Sequence, residues 1–145
     1  MASYYVDACI YLNWWKQESG ALFREPFWKS AKKFFENVDK NQDTIYYSGF
    51  LLKELSYKLT ESEFIKKLEF IESSPNFLKI NLNGDEYEMA QKIKRDIDFE
   101  ISFFDVIHLI LAKKTNSTLV TRDKKLLKIA RKFRVMAKKP EKIIL

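Results

Sequence analysis

Residues 101–127, ISFFDVIHLILAKKTNSTLVTRDKKLL, constrain the fold more tightly than any other part of the chain. They read as a helix, a short turn, a strand and a second helix. Phe104, Ile107, His108, Ile110 and Leu111 wrap most of the first helix, which requires it to be buried between layers. The strand, Ser117 to Thr121, sets Leu119 and Val120 among β-branched neighbours and so suits the interior of a parallel sheet. Asp105 stands near the start of the first helix, and Asp123 just beyond the strand. In an open α/β sheet the carboxyl ends of strands and the adjoining helix starts share one rim, where ligands bind. The segment therefore delivers two carboxylates to one rim.

The rest of the chain repeats the strand-then-helix grammar. Tyr4-Tyr5-Val6 reads as a central first strand ending in Asp7, which reaches the rim or caps a helix starting near Ala8. Phe27, Trp28, Ala31, Phe34, Phe35 and Val38 follow helical spacing within a helix from Glu25 to Val38. With Trp14, Trp15, Leu22 and Phe23, around a Ser19-Gly20 break, they make the first third unusually aromatic. Those rings belong to the core or to a patch for a partner. Thr44 to Tyr47 is the second strand, and Ser48 can cap a helix carrying Leu51, Leu52, Glu54, Leu55 and Leu59. Glu54 lies at the border of that helix's buried face, so its carboxylate can reach the same rim as Asp7. A helix over 62–71, a strand from Phe77 to Leu82 and a helix from Asn83-Gly84-Asp85 to Ile97 follow. After the organising stretch, Leu126, Leu127, Ile129 and Ala130 form a helix face, and Phe133 to Ala137 a last short strand. The alternation predicts one domain over residues 1–145, a three-layer α/β/α sandwich with a mostly parallel central sheet.

Charge narrows the partners. Residues 113–142 hold twelve Lys and Arg against only Asp123 and Glu141, although the whole chain carries a net charge of just +6. A basic end on a mildly acidic body suggests a polyanion, bound through Lys124, Lys125, Lys128, Arg131 and Lys132; a solvated helix face is the plain alternative. A single cysteine excludes a disulfide framework and a four-cysteine zinc site, and fits a reducing cytoplasm. The start MASYYVDACIYLNWW lacks a basic leader, and no stretch approaches the roughly 20 apolar residues of a membrane span.

Four carboxylates thus occupy comparable places: Asp7, Glu54, Asp105 and Asp123. Each has a local explanation; Asp105 follows Ser102 at capping-box spacing, and Asp123 can cap the last long helix. Those explanations leave open why all four share one edge. Clustered carboxylates repel unless protonated or metal-bound. A set of hard oxygen donors without His or Cys selects Mg²⁺ or Mn²⁺, which clamp the oxygens around a phosphorus and generate a hydroxide nucleophile.

Four local patterns, YYVDACIYL, YYSGFLLKEL, ISFFDVIHLILAKK and LVTRDKKLLKIA, match in order and spacing those of PIN domains, the nuclease fold of VapC-type toxins and of RNA-processing enzymes, which the chain resembles from Tyr4 to about Ala130. The resemblance implies that Asp7, Glu54, Asp105 and Asp123 bind one or two Mg²⁺ or Mn²⁺ ions and cleave single-stranded RNA. It implies that Ser48 and Thr121 steady the acids, and that the partners are RNA, an antitoxin protein and a second copy in a homodimer. Cys9 departs from the pattern, standing where many members carry Asn, Ser or Thr. An antitoxin segment would lie on apolar surface, and Trp14, Trp15, Phe27 and Trp28 are expected to line a route from it toward Asp7.

Competing readings are weaker. A haloacid-dehalogenase-type phosphatase wants a second Asp at the Cys9 position, and Gly20, Gly49 and Gly84 are too isolated for a phosphate loop. His108 reads as a buried helical histidine, Cys9 as a small core residue, and Asp98 and Glu100 as solvated loop acids. A PIN-fold enzyme of RNA maturation without an antitoxin, or a silent RNA-binding module whose acids only cap helices, are the functional alternatives.

Overall fold

The computed structural model describes residues 2–17, 25–97 and 101–143. The Ser19-Gly20 break, Leu22, Phe23, Asp98, Glu100, Ile144 and Leu145 lie outside the described residues. Five strands, β1 (Ser3–Val6), β2 (Thr44–Tyr47), β3 (Phe77–Lys79), β4 (Thr118–Val120) and β5 (Ala137–Lys138), form one sheet in the order β3-β2-β1-β4-β5. Every pairing is parallel, with Tyr5 beside Tyr46 on one flank and beside Leu119 on the other. The helices are α1 (Ala8–Trp15), α2 (Phe27–Asn41), α3 (Gly49–Lys58), α4 (Glu61–Ser73), α5 (Gly84–Ile97), α6 (Phe103–Lys114) and α7 (Lys124–Lys132). No helix among the described residues is long and apolar enough to cross a membrane.

Side-chain alternation along the strands builds the three layers. Tyr5 and Leu119 point into a core with Val106, Ile107, Leu111, Leu126, Ile129 and Ala90 from α5, α6 and α7. Their neighbours Val6 and Val120, with Ile45 and Tyr47, point the other way onto α1, α2 and α3. The seven residues Val106 to Ala112 of α6 are all buried, as its all-round apolar surface requires.

The order of the strands decides where a ligand can sit. The chain moves outward from β1 through β2 to β3, then returns to pair β4 on the other side of β1. The sheet therefore reverses direction between β1 and β4, and the crevice outside their carboxyl ends is the place where such sheets bind ligands. Asp7 ends β1, and Thr121, Arg122 and Asp123 follow β4.

Two strand boundaries differ from the sequence expectation. β3 stops at Lys79, and Asn83 and Glu86 then exchange side-chain and backbone bonds that start α5. The last strand begins at Ala137, whereas Phe133 and Arg134 form the turn that ends α7, with Arg134 at a positive φ of 58°. Apolar Phe133 and Val135 imitate a strand because they pack into the core from within and just after that turn.

Candidate active site

Asp7 occupies the N-cap position of α1, yet its side chain makes no capping bond. It turns instead into the crevice, where Oδ2 accepts from Thr121 Oγ1 at 2.8 Å and from the Cys9 thiol at 3.3 Å. Cys9 thus supplies the hydrogen bond that a hydroxyl or amide would make at that position. Thr121 Oγ1 also accepts the Asp123 backbone N–H at 3.1 Å, so one hydroxyl ties the ends of β1 and β4 together.

Glu54 comes from α3, whose start is set by Ser48 accepting the Leu51 N–H at 3.2 Å. Leu51 and Leu55 are buried, and Glu54 rises at their border, its side chain 23% exposed. Among the described residues Ser48 hydrogen-bonds no acid; it meets the Tyr5 hydroxyl at 2.6 Å. Asp105 lies in the first turn of α6, where Ser102 caps its backbone N–H at 3.1 Å. The carboxylate does not close the capping box in return among the described contacts; it hydrogen-bonds the Ser102 side chain and lies close enough to Asp7, Glu54 and His108 to feel their charges.

The fourth acid is placed differently. Asp123 caps α7, Oδ1 accepting from the Lys125 and Leu126 backbone N–H groups. It faces Asp105 across an open groove that Ile101, Ser102, Lys94, Lys124 and Lys125 also line. Asp7, Glu54 and Asp105 are brought into one electrostatic neighbourhood, and Asp123 stands on its wall.

His108, read from the sequence as a core histidine, is fully buried, and it sits among the acids. Nε2 bonds Glu54 Oε1 and Nδ1 meets the Tyr5 hydroxyl at 2.9 Å. The set of oxygen donors expected without histidine therefore has an imidazole in its midst: Asp7, Glu54 and His108 each offer a ligand atom within 4.8 Å of the others. One turn separates Asp105 from His108, and that i, i+3 spacing on α6 was the available signal.

Burial raises the pKa of Asp7, offset in part by His108 and by the Thr121 bond. Burial, then the negative charge of Asp7, pushes Asp105 up to about 6. For His108 burial opposes the charged ring, but the Glu54 bond and the carboxylates around it outweigh burial and raise its pKa above the ordinary imidazole value. Carboxylates this crowded fit a hard divalent cation, with Asp7, Glu54 and Asp105 as oxygen donors and Asp123 on the groove wall.

The basic residues divide along α7. Lys124 and Lys125 stand at the groove mouth, whereas Arg131 and Lys132 lie about 10 Å farther along the helix axis. All four, with Lys128, are exposed on the face opposite Leu126, Ile129 and Ala130.

The aromatic residues divide too. Trp14, Trp15, Phe27 and Trp28 are all half-buried. Phe27 reaches the rim, its ring 4.1 Å from the Arg122 guanidinium. Trp14 instead lines a cavity of about 220 Å³ with Phe35, Phe70, Phe77, Glu36 and Asp39. That cavity lies where β3 begins, at the amino edge of the sheet, because the length of α1 carries Trp14 about 10 Å from Asp7. Among the described residues, then, Phe27 stands at the rim and Trp14 lines the cavity at the other edge.

The PIN domain family model matches residues 4–132. No curated protein matches the chain by sequence. Among solved structures it is similar to VapBC2 from Rickettsia felis bound to a promoter DNA fragment, with 21% identity, a TM-score of 0.66 and coverage of 94% of this chain and 98% of that one. It is also similar to FitAcB from Neisseria gonorrhoeae, with 16% identity, a TM-score of 0.58 and coverage of 94% and 97%. A third likeness is PAE2754 from Pyrobaculum aerophilum, with 15% identity, a TM-score of 0.57 and coverage of 99% and 94%. At these identities the likeness establishes the shared fold.

Proposed function

Because the chain belongs to the PIN domain family, a family of nucleases, we propose that it is a divalent-metal-dependent endoribonuclease acting in the cytoplasm as the toxin of a VapBC-like pair. The observation that carries this reading is the cluster of Asp7, Glu54 and His108, with Asp105 electrostatically coupled to all three, beside the point where the strand order reverses. Mg²⁺ or Mn²⁺ would be held by Asp7, Glu54 and Asp105, with Asp123 completing the set from the groove wall. Bound there, the ion supplies an activated water and charge stabilisation at the scissile phosphate. Thr121 and Cys9 keep the Asp7 carboxylate turned into the crevice, and Ser48 acts through Tyr5. The likeness to VapBC2 and FitAcB supports an antitoxin partner, and a homodimer belongs to the same reading.

The test is cleavage of a single-stranded RNA by purified protein with Mg²⁺ or Mn²⁺, after chelation, and after the metal is restored. Cleavage that needs the metal and returns with it is expected. RNA bound but never cut under any of these conditions would favour the silent module.

Lys124, Lys125, Lys128, Arg131 and Lys132 are assigned to the RNA backbone. Replacing the first three with Gln is expected to weaken binding of every RNA sequence alike. It should also reduce the slope of log affinity against log salt by about 2, at roughly 0.7 per phosphate contact on a single strand. An unchanged slope would return the face to a solvated one.

A further inference from the structure

A hydrogen-bonded chain closes on itself around the acids, and Glu54 is its last member. The Leu51 N–H donates to Ser48 Oγ at 3.2 Å, Ser48 meets Tyr5 Oη at 2.6 Å, Tyr5 meets His108 Nδ1 at 2.9 Å, and His108 Nε2 bonds Glu54 Oε1. The chain leaves the first turn of α3, crosses β1 and α6, and returns to α3 one turn farther along. Ser48, Tyr5 and His108 are all at most 1% exposed. Nε2 faces Glu54, and the Tyr5 hydroxyl bridges His108 Nδ1 and Ser48 Oγ, so both ring nitrogens are engaged. The Tyr5 ring also lies against the imidazole, 5.2 Å between centroids.

Glu54 needs such support more than Asp7 or Asp105. It has the longest side chain of the three and is partly open to solvent, so it has the most rotamer freedom to lose. Asp7 is buried and held by Thr121 and Cys9; Glu54 has His108.

Resting on the reading of these acids as the metal site, we infer that His108 is a positioning residue, anchored through Tyr5 to Ser48, that holds the Glu54 carboxylate toward Asp7 and does not itself ligate the metal. Both ring nitrogens are engaged with protein groups, and hard divalent cations favour the oxygen donors beside them. The arrangement is the outer partner of a ligand carboxylate, whose loss elsewhere weakens metal binding by 10–100-fold.

The test combines Mn²⁺ calorimetry, Mn²⁺ electron spin-echo spectroscopy and a thermal double-mutant cycle. His108→Leu is expected to weaken Mn²⁺ binding tenfold or more, and Tyr5→Phe by a smaller factor. His108→Gln, whose amide can still donate to Glu54, should recover most of the loss. The wild-type spin-echo spectrum should carry no directly coordinated nitrogen. In metal-free protein the melting-temperature shifts of Tyr5→Phe and Glu54→Gln should fail to add, since His108 couples two side chains that do not hydrogen-bond each other. A coordinated nitrogen, unchanged Mn²⁺ affinity in His108→Leu, or additive melting shifts would each overturn the inference. If wild type binds no Mn²⁺, the metal reading itself fails, and the metal-free cycle decides whether His108 positions Glu54. Tyr5→Phe and His108→Gln keep the test decisive if the leucine variant does not fold.

Discussion

Asp105→Asn is expected to reduce metal-dependent RNA cleavage by a thousandfold or more while making the metal-free protein more stable at neutral pH. The loss follows from removing one of three electrostatically coupled carboxylates, since a single electrostatic donor at a reacting centre is worth about 10²–10³ and a ligand also sets metal occupancy. The gain follows from the pKa. Burial and the Asp7 charge hold Asp105 at about 6, above its ordinary 3.8, so the folded chain keeps this proton more tightly than the unfolded one. The group's contribution is thus most favourable below about pH 4 and is lost as pH rises through about 6. At pH 7.5 the ionised side chain is a liability of about 1–3 kcal/mol, which Asn removes. Thermal unfolding of metal-free wild type and variant at pH 7.5 and pH 4 checks the sign: a higher melting temperature at pH 7.5, with the difference shrinking at pH 4. Equal cleavage by the two proteins would remove Asp105 from the active site. A destabilised variant at pH 7.5 would mean that the acids do not repel.

The second large effect is structural. Arg122→Ala is expected to cost about 2–4 kcal/mol, measured as a lower urea midpoint with an unchanged slope. The Arg122 side chain is only 10% exposed. Its guanidinium donates to Asn13 Oδ1 at 2.8 Å, to both Glu141 oxygens at 2.7 and 3.0 Å and to the Phe27 carbonyl at 3.4 Å, and it lies over the Phe27 ring. One side chain at the end of β4 thereby ties α1, the start of α2 and the 3-10 turn Pro140–Lys142 to the wall of the site. Asn13 is buried and would lose its ionic donor, whereas Glu141 is exposed enough to rehydrate, which keeps the cost below that of a fully buried pair. Arg122→Lys should recover little, because one ammonium cannot donate to Asn13, Glu141 and the Phe27 carbonyl from three separate nitrogens or reproduce the stack. A change below about 0.5 kcal/mol would show that these contacts are mutually replaceable.

How much could be read from the chain before any coordinates depends on the reach of each interaction. Helix periodicity, the Ser48 and Asp123 caps and the β-branched run at β4 are local, set by residues within about four positions, and each is found where the sequence places it. Asp7, Glu54, Asp105 and Asp123 were legible as rim acids because each follows a strand or opens a helix, and the strand-to-helix grammar alone fixes which edge they occupy. Boundaries failed where tertiary packing imitated a local signal: Phe133 and Val135 look like strand residues and pack from within and just after a turn instead.

The placement of β1 between β2 and β4, and with it the reversal that makes the crevice, depends on pairings 41 and 114 residues apart, which no local pattern encodes. His108 meets Glu54 across 54 residues and Tyr5 across 103, so its place among the acids is invisible to a reading that sees only an apolar helix face. Arg122 likewise finds Asn13 and Glu141 across 109 and 19 residues. Trp14 follows Asp7 closely in sequence, yet the rise of one helix moves it to the opposite edge of the sheet. Sequence by itself determined the elements and the residue types that each delivers to the rim, because those follow from local periodicity and capping. Only the tertiary structure decided which side chains share a dielectric environment, because charge coupling and hydrogen bonding depend on distances in space that chain separation does not set.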